Sequence, residues 1–255
     1  MNTTEFDTPT QPREFTWKWV DLFWILLGSG AIFILGLFLY IAFSGGRGFN
    51  PQGLFQPTIE LSLVLAALEA IALIGGVYLL GIRRRKQSWE AVGLRPAKRH
   101  WLLIATIITL IAIPFISIFT IILFLAFKFP LVNPQLEFLL PEGITQLGAL
   151  GMLLLAGVVA PFGEELLFRG VFYTLLRDRW GVWPGVLVSS LIFGIIHGDL
   201  AVGLTAFLLG IILALVFEYS QSLWTSILVH AINNSAKIAL LYLLVKLGAT
   251  AELGL

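Results

Sequence analysis

The segment APFGEELLFRG, residues 160–170, places two glutamates and an arginine at the end of a long apolar run. Ionisable side chains within membrane segments usually face the interior of a helix bundle and mark function. Glu165 and Arg169 are four residues apart, so they share one helix face and can form an ion pair. Glu164 is turned about 100° away around the helix and has no local cation. A carboxylate of this kind is suited to take a proton from water.

Two later apolar segments repeat the four-residue spacing. Phe193 and His197 form one pair, and His230 and Asn234 form the other. The imidazole of His197 could hold a water molecule together with Glu164. The N–H groups of His230 and Asn234 could stabilise a developing negative oxygen. A water-activating pair opposite a donor pair is the minimum requirement for hydrolysis of an amide, while Phe193 is best explained by packing.

Each of these side chains also has a purely structural explanation. Charges can form a network that holds helices together, and histidine and asparagine commonly hydrogen-bond between membrane helices. Asn233 is an alternative amide donor, although the four-residue spacing favours Asn234. Two further charges, Glu69 and Lys237, also lie within apolar segments. We predict that Lys237 pairs with Glu69 or with Glu165, because buried charges in membrane spans tend to be paired.

Several other catalytic arrangements are missing from the sequence. The chain has three histidines and no H-E-x-x-H motif, so it lacks the signature of a zinc protease of that type. It has no G-x-S-x-G nucleophile elbow. The absence of cysteine excludes a cysteine nucleophile and disulfides. A membrane aspartyl dyad needs two buried aspartates, and none of the four aspartates lies within a predicted membrane segment. We expect Asp199 to cap a helix that starts near residue 201.

The composition is that of a membrane protein. Of the 255 residues 58% are hydrophobic and 12% are charged, and the mean hydropathy is +0.93. Soluble domains carry about a quarter charged residues. We predict an all-α, polytopic transmembrane bundle of seven helices, with an eighth if the third or the last is broken. The predicted segments are 22–43, 58–82, 101–127, 145–176, 183–197, 201–217 and 222–245.

The distribution of cations predicts the topology. Seven Lys and Arg residues lie within 83–99, which should hold this connection in the cytoplasm. The N-terminus is then cytoplasmic, and the connections 44–57 and 128–146 lie outside. We divide the chain into a disordered polar tail (1–20), N-terminal membrane helices with the basic loop (21–144), and a catalytic membrane core (145–246). The net charge of +1 gives no indication of nucleic-acid binding.

Three motifs in this order resemble the CPBP family, which contains the type II CAAX prenyl endopeptidases and the Abi bacteriocin-processing or immunity proteins. EELLFR matches E-E-x-x-x-R, FGIIH matches F-x-x-x-H and HAINN matches H-x-x-x-N. The resemblance covers about residues 145–246. The upstream WEAVGLRP also looks like a segment found before the third span of bacterial members.

The resemblance implies an intramembrane glutamic endopeptidase that acts on membrane-associated proteins or peptides, with or without a lipid. By analogy Glu164 and His197 activate water, His230 and Asn234 hold the oxyanion, and Glu165 with Arg169 supports the site. The family pattern implies no metal, although Glu164, His197 and His230 would be the ligands of a zinc ion if one were needed. We expect a plasma-membrane protein whose cavity faces the cytosol.

Two alternatives from other classes are a non-catalytic bacteriocin self-immunity or scaffold protein with the same fold, and a proton-coupled transporter. The transporter is disfavoured because the sequence has no visible inverted repeat.

Overall fold

The computed structural model describes residues 16–47, 58–129, 135–139, 141 and 144–248, and every regular element in these ranges is helical, as predicted. Of the predicted tail, residues 1–15 lie outside the described ranges. The boundary at residue 20 is too late. Trp17 is fully buried, its indole N–H donates to the carbonyl of Gly170 at 2.9 Å, and the first helix begins at Trp19. Burial of an aromatic ring fixes this part of the chain.

Six of the described helices are long and apolar enough to cross a membrane, and two shorter ones accompany them. Numbered in chain order they are α1 Trp19–Ser44, α2 Ile59–Arg83, α3 Arg99–Ala126, α4 Gln135–Leu139, α5 Gln146–Trp180, α6 Val182–Ile195, α7 Leu200–Ser220 and α8 Leu223–Lys246.

The helices agree with the predicted segments within a few residues, but one of them is too short to count as a candidate span. Helix α6 has 14 residues. This is about 21 Å of helix, against a hydrocarbon core of about 30 Å. The described chain therefore has six candidate spans where the sequence predicts seven, and the seventh segment is present as a shorter helix. Because α3 and α8 are continuous, neither supplies an eighth helix.

Successive helices alternate in direction, which gives the bundle two distinct ends. We call one the basic end; it comprises residues 16–19, 83–99, 177–182 and 220–223. The distal end comprises residues 44–47, 58–60, 126–129, 135–139, 141, 144–146, 195–200 and 246–248. Ion pairs join elements at the basic end. The buried carboxylate of Asp21 binds both Arg84 and Arg85, and Arg177 binds Glu218 at 2.9 Å.

The WEAVGLRP segment closes the basic end. Its first residues form a short 3₁₀ helix, Trp89–Val92. This helix ends at Gly93, whose φ is +82°. The N–H of Leu223 donates to the carbonyl of Gly93 at 2.8 Å, and Val92 is fully buried. A Cβ on Gly170 would lie 2.9 Å from the carbonyl oxygen of Val92, so the segment packs directly on the backbone of α5.

Helix α5 carries Glu164 and Glu165 between two π-helical stretches. The stretches Leu155–Val159 and Leu166–Tyr173 have π-helical hydrogen bonding and flank the α-helical Ala160–Glu165. Such π-bulges often occur at functional sites. At the first one, a Cβ on Gly157 would lie 2.7 Å from the hydroxyl of Ser235, so α5 and α8 approach closely there.

Glycine also lets α6 lie against α7. A Cβ on Gly194 would lie 2.6 Å from the carbonyl oxygen of Gly203, so the two backbones are nearly in contact. Asp199 begins α7 by accepting a hydrogen bond from the N–H of Val202 at 2.9 Å, which confirms the predicted cap. This close crossing positions His197 at the turn between the two helices.

We predict that Gly93→Ala lowers the midpoint of thermal unfolding more than Gly46→Ala. The two glycines have φ of +82° and +81°. A left-handed conformation therefore costs alanine about 1–2 kcal/mol at either position. At Gly93 the new methyl group would also lie 2.5 Å from the ring of Phe217, whereas nothing lies within 4 Å at Gly46. Tryptophan fluorescence in detergent measures both midpoints, and equal shifts would contradict this account of the contact.

Candidate active site

The carboxylate of Glu165 lies at the centre of a buried polar cluster. Nη1 of Arg169 donates to its Oε1 at 2.8 Å, and the exposed fractions of the two side chains are 0% and 1%. The predicted ion pair is therefore present. A buried carboxylate requires both a counter-charge and hydrogen bonds to offset its lost hydration, and Arg169 supplies the charge.

Glu165 has two further donors, which the sequence analysis missed. The hydroxyl of Ser226 donates to Oε2 at 2.6 Å, and Nδ1 of His230 donates to Oε1 at 2.8 Å. Glu165 is thus more than the partner of Arg169, because it also fixes the orientation of His230. The four-residue spacing of Ser226 and His230 places both on one helix face, but it does not indicate that this face meets Glu165.

Phe193 connects the cationic and imidazole groups of the cluster. Its ring centroid lies 4.7 Å from Cζ of Arg169. The same ring makes edge contacts with His197 at 5.0 Å and with His230 at 5.7 Å between centroids. Packing does explain Phe193, but the packing is against three of the polar residues of the site. The ring therefore sets the separation of the two imidazoles.

His197 has a defined tautomer when neutral. Its Nδ1 lies 2.7 Å from the carbonyl oxygen of Phe193, which can only accept a hydrogen bond. Nδ1 must therefore carry the proton, and Nε2 is left as an acceptor. A single protein contact thus leaves a basic nitrogen available for water.

Glu164 faces a different environment from its neighbour. Its Oε2 lies 3.9 Å from Nε2 of His230, and 12% of its side chain is exposed. The other nitrogen of His230 is bound by Glu165. The imidazole therefore lies between the two carboxylates, with one nitrogen directed to each.

Glu164, His197, His230 and Asn234 line one cavity of about 310 Å³, and Asn233 joins them. The structure therefore brings together the four residues predicted to be catalytic. Glu165 and Arg169 are not among the lining residues and lie behind His230. The spacing predicts one glutamate paired with Arg169 and one without a local cation, and this arrangement agrees with that division.

The amide groups next to His230 are engaged with each other. Nδ2 of Asn234 donates to the carbonyl of Ala156 at 3.3 Å, and its Oδ1 accepts from Nδ2 of Asn233 at 3.0 Å. Each amide has two N–H groups, so each keeps a second donor. Both residues remain candidates for the amide donor of the site.

Glu69 and Lys237 also line the cavity, but they do not form the predicted ion pair. The described residues contain no ion pair between Lys237 and either Glu69 or Glu165. For Glu165 the reason is clear, because its two oxygens already accept from three other side chains. Both charges therefore face the cavity space.

The position of the cavity corrects a second expectation. Its lining includes Gln135 and Phe138 of α4, His197 at the end of α6 and Val202 at the start of α7. These residues belong to the distal end or lie beside it. The cavity and the basic loop 83–99 are therefore at opposite ends of the bundle. A cytoplasmic basic loop and a cytosol-facing cavity, which were predicted together, do not agree with this geometry.

Within the described residues, no group of three or more His, Asp or Glu side chains has the arrangement of a metal site. His230 has only Nε2 to offer a ligand, because Nδ1 is bound by Glu165. Glu164, His197 and His230 thus share a cavity without forming a ready ligand set.

We predict that Arg169→Ala destabilises the protein much more than Arg177→Ala. Removal of one partner from a buried ion pair costs about 3–5 kcal/mol, since a buried charge is left uncompensated. Arg177 binds Glu218 with its side chain 28% exposed, where a pair is worth about 0–1 kcal/mol. Urea unfolding in mild detergent gives both values. Similar losses for the two variants would show that the Glu165–Arg169 pair is not a main structural contact.

Comparison with known proteins agrees with this site. The sequence model of the family described as "Type II CAAX prenyl endopeptidase Rce1-like" matches residues 146–236. "Putative membrane peptidase YdiL" of Bacillus subtilis (strain 168) is 30% identical over 84 residues, which are 33% of this chain and 34% of that protein. An "Uncharacterized 24.3 kDa protein" of Escherichia coli is 36% identical over 78 residues, 29% of this chain and 36% of that protein.

The matched segment spans about a third of these two curated relatives. No solved structure matches the chain. The family match begins at the start of α5 and ends in α8, so it contains all three motifs and every residue of the buried cluster. Residues 146–236 are therefore similar to the family of Rce1-like type II CAAX prenyl endopeptidases.

Proposed function

We propose that this chain is an intramembrane endopeptidase that hydrolyses peptide bonds of a membrane-associated protein or peptide. One observation carries the proposal: Glu164, His197, His230 and Asn234 line a single cavity, while Glu165 holds His230 from behind. General-base and oxyanion groups must converge on one reacting bond, and a common cavity satisfies this requirement.

Glu164 and His197 activate water in this proposal. The carboxylate of Glu164 and Nε2 of His197 are both acceptors, so together they can bind the two hydrogens of one water molecule. Its oxygen lone pair is then directed to the carbonyl carbon of the substrate. Glu164 takes the proton as the C–O bond forms. Proton transfer of this kind contributes about 10²–10⁴ to the rate.

His230 stabilises the negative oxygen of the tetrahedral intermediate. Because Nδ1 donates to Glu165, Nε2 carries a hydrogen only in the imidazolium form. The proposal therefore requires the imidazolium form of His230 while the negative oxygen is present, next to the carboxylates of Glu164 and Glu165. An amide N–H from Asn234, or from Asn233, is the second donor. A single donor of an oxyanion hole is worth about 10²–10³ in rate.

The intermediate collapses with cleavage of the C–N bond. Glu164 returns its proton to the leaving nitrogen, so one product has a new carboxylate and the other a new amine. The water supplies one oxygen and both hydrogens, and the enzyme ends as it began. No metal or covalent intermediate is required for this balance.

We also propose how the helices and the N-terminus are placed in the membrane. We place α6 as a seventh, short membrane helix held against α7, and the N-terminus in the cytoplasm. The plasma membrane is the proposed location, and a substrate with or without a lipid is the proposed partner.

We predict that Glu164→Gln and His197→Ala each lower peptide cleavage by about 10²–10⁴ while the protein still folds, because the first removes the base that takes the proton and the second removes a hydrogen-bond acceptor of the attacking water. Glu60→Gln is the matched control, since Glu60 is a 63% exposed glutamate in the first turn of α2. Candidate substrates come from trapping with Glu164→Gln in native membranes, followed by mass spectrometry. Cleavage is then measured with the purified variants.

Full cleavage by both variants would contradict the mechanism. A cellular phenotype that survives Glu164→Gln would instead favour the non-catalytic self-immunity or scaffold function.

We also predict that EDTA or 1,10-phenanthroline leaves cleavage unchanged, because the proposed proton transfers use side chains alone. Re-addition of zinc after dialysis should likewise have no effect. Loss of activity with chelator and its recovery with zinc would instead identify Glu164, His197 and His230 as ligands.

A further inference from the structure

The cavity is lined from one half of the bundle. No described residue of 77–129, 165–192 or 210–229 lines it. Its walls come from the first half of α2 and of α7, from residues 156–164 of α5, from residues 193–197 at the end of α6 and from the middle of α8. Three residues of α4, in the connection between α3 and α5, complete it: Gln135, Phe138 and Leu139. The space therefore extends from Glu164 towards the distal end.

A packed layer separates the cavity from the basic end. Directly beyond Glu165, the side chains of Leu166, Leu167 and Phe168 are buried in the same apolar cluster as Val92 and Leu223. A second cavity of about 360 Å³ lies at the basic end and shares no lining residue with the first. Within the described structure the two cavities are therefore separate, and this apolar layer lies between them.

The cations are divided unequally between the two ends. Three described Lys and Arg residues lie at the distal end: Arg47, Lys128 and Lys246. Ten lie at the basic end: Lys18, Arg83, Arg84, Arg85, Lys86, Arg95, Lys98, Arg99, Arg177 and Arg179. Connections rich in Lys and Arg remain on the cytoplasmic side of a membrane.

From these two observations we infer that the cavity opens on the side of the membrane away from the cytoplasm, and that its substrate is a peptide segment presented there. The part of this inference that concerns a substrate rests on the proposed peptidase function. The direction in which the cavity opens does not depend on that function. The substrate class is an extracytoplasmic peptide or the outer juxtamembrane segment of a membrane protein. A lipidated C-terminus that stays in the cytoplasm would not reach Glu164.

The two unpaired charges fit a peptide that enters from the distal end. Glu69 and Lys237 line the cavity without pairing to each other. A peptide backbone or chain end brings its own polar groups, and charges at the walls can bind them. An apolar lipid chain would instead have to pass both charges.

Cysteine labelling tests the direction of opening, and it is free of background because the natural chain has no cysteine. Three single-cysteine variants are compared: Arg47→Cys at the distal end, Ser88→Cys at the basic end and Glu69→Cys in the cavity. The first two positions are exposed, so these substitutions leave folding undisturbed. Intact and permeabilised protoplasts are treated with a membrane-impermeant maleimide, and labelled protein is detected by a gel shift.

We expect Arg47→Cys and Glu69→Cys to be labelled in intact protoplasts, and Ser88→Cys only after permeabilisation. Labelling of Ser88→Cys in intact protoplasts overturns the inference, as does labelling of Glu69→Cys only after permeabilisation or in neither case. These results do not depend on catalysis. Failure of the proposed peptidase function would appear separately, as equal product from the natural protein and Glu164→Gln on either side of oriented vesicles.

Discussion

The candidate site depends on one buried carboxylate and the three side chains that bind it. Glu165 is fully enclosed, and it accepts hydrogen bonds from Arg169, Ser226 and His230. A buried carboxylate without these donors would be very costly, so the cluster fixes α5 and α8 relative to each other. Arg169 also donates to the carbonyl of Gly210 at 3.2 Å, which brings α7 into the same arrangement. The orientation of His230 follows from this cluster.

That arrangement assigns different tasks to adjacent glutamates. Glu165 is committed to structure and to the orientation of His230, while Glu164 is partly exposed in the cavity. Phe193 separates His230 from His197 and stacks near Arg169, so the distance between the two imidazoles depends on the same cluster. The π-helical stretches on either side of Ala160–Glu165 interrupt the regular α-helix next to both glutamates, as is common at functional sites.

Much of this was predictable from the sequence, because hydropathy and residue spacing are local signals. The helix boundaries, the Glu165–Arg169 pair and the cap at Asp199 all follow from such signals. The contacts of Glu165 with His230 and Ser226 join residues 65 and 61 positions apart, and no local pattern sets such a distance. The absence of a Glu69–Lys237 pair and the separation of the cavity from the basic loop were not predicted, for the same reason. Both depend on how helices face each other, which the spacing along one helix does not determine.

The central claim is that water activated by Glu164 cleaves a peptide bond in the membrane cavity. The most direct measurement is hydrolysis of a trapped substrate by the purified protein in water enriched in oxygen-18, with mass spectrometry of the products. The account predicts one heavy oxygen in the new C-terminal carboxylate for the natural protein and no product for Glu164→Gln. Equal amounts of labelled product from the two proteins, or none from either, would contradict it.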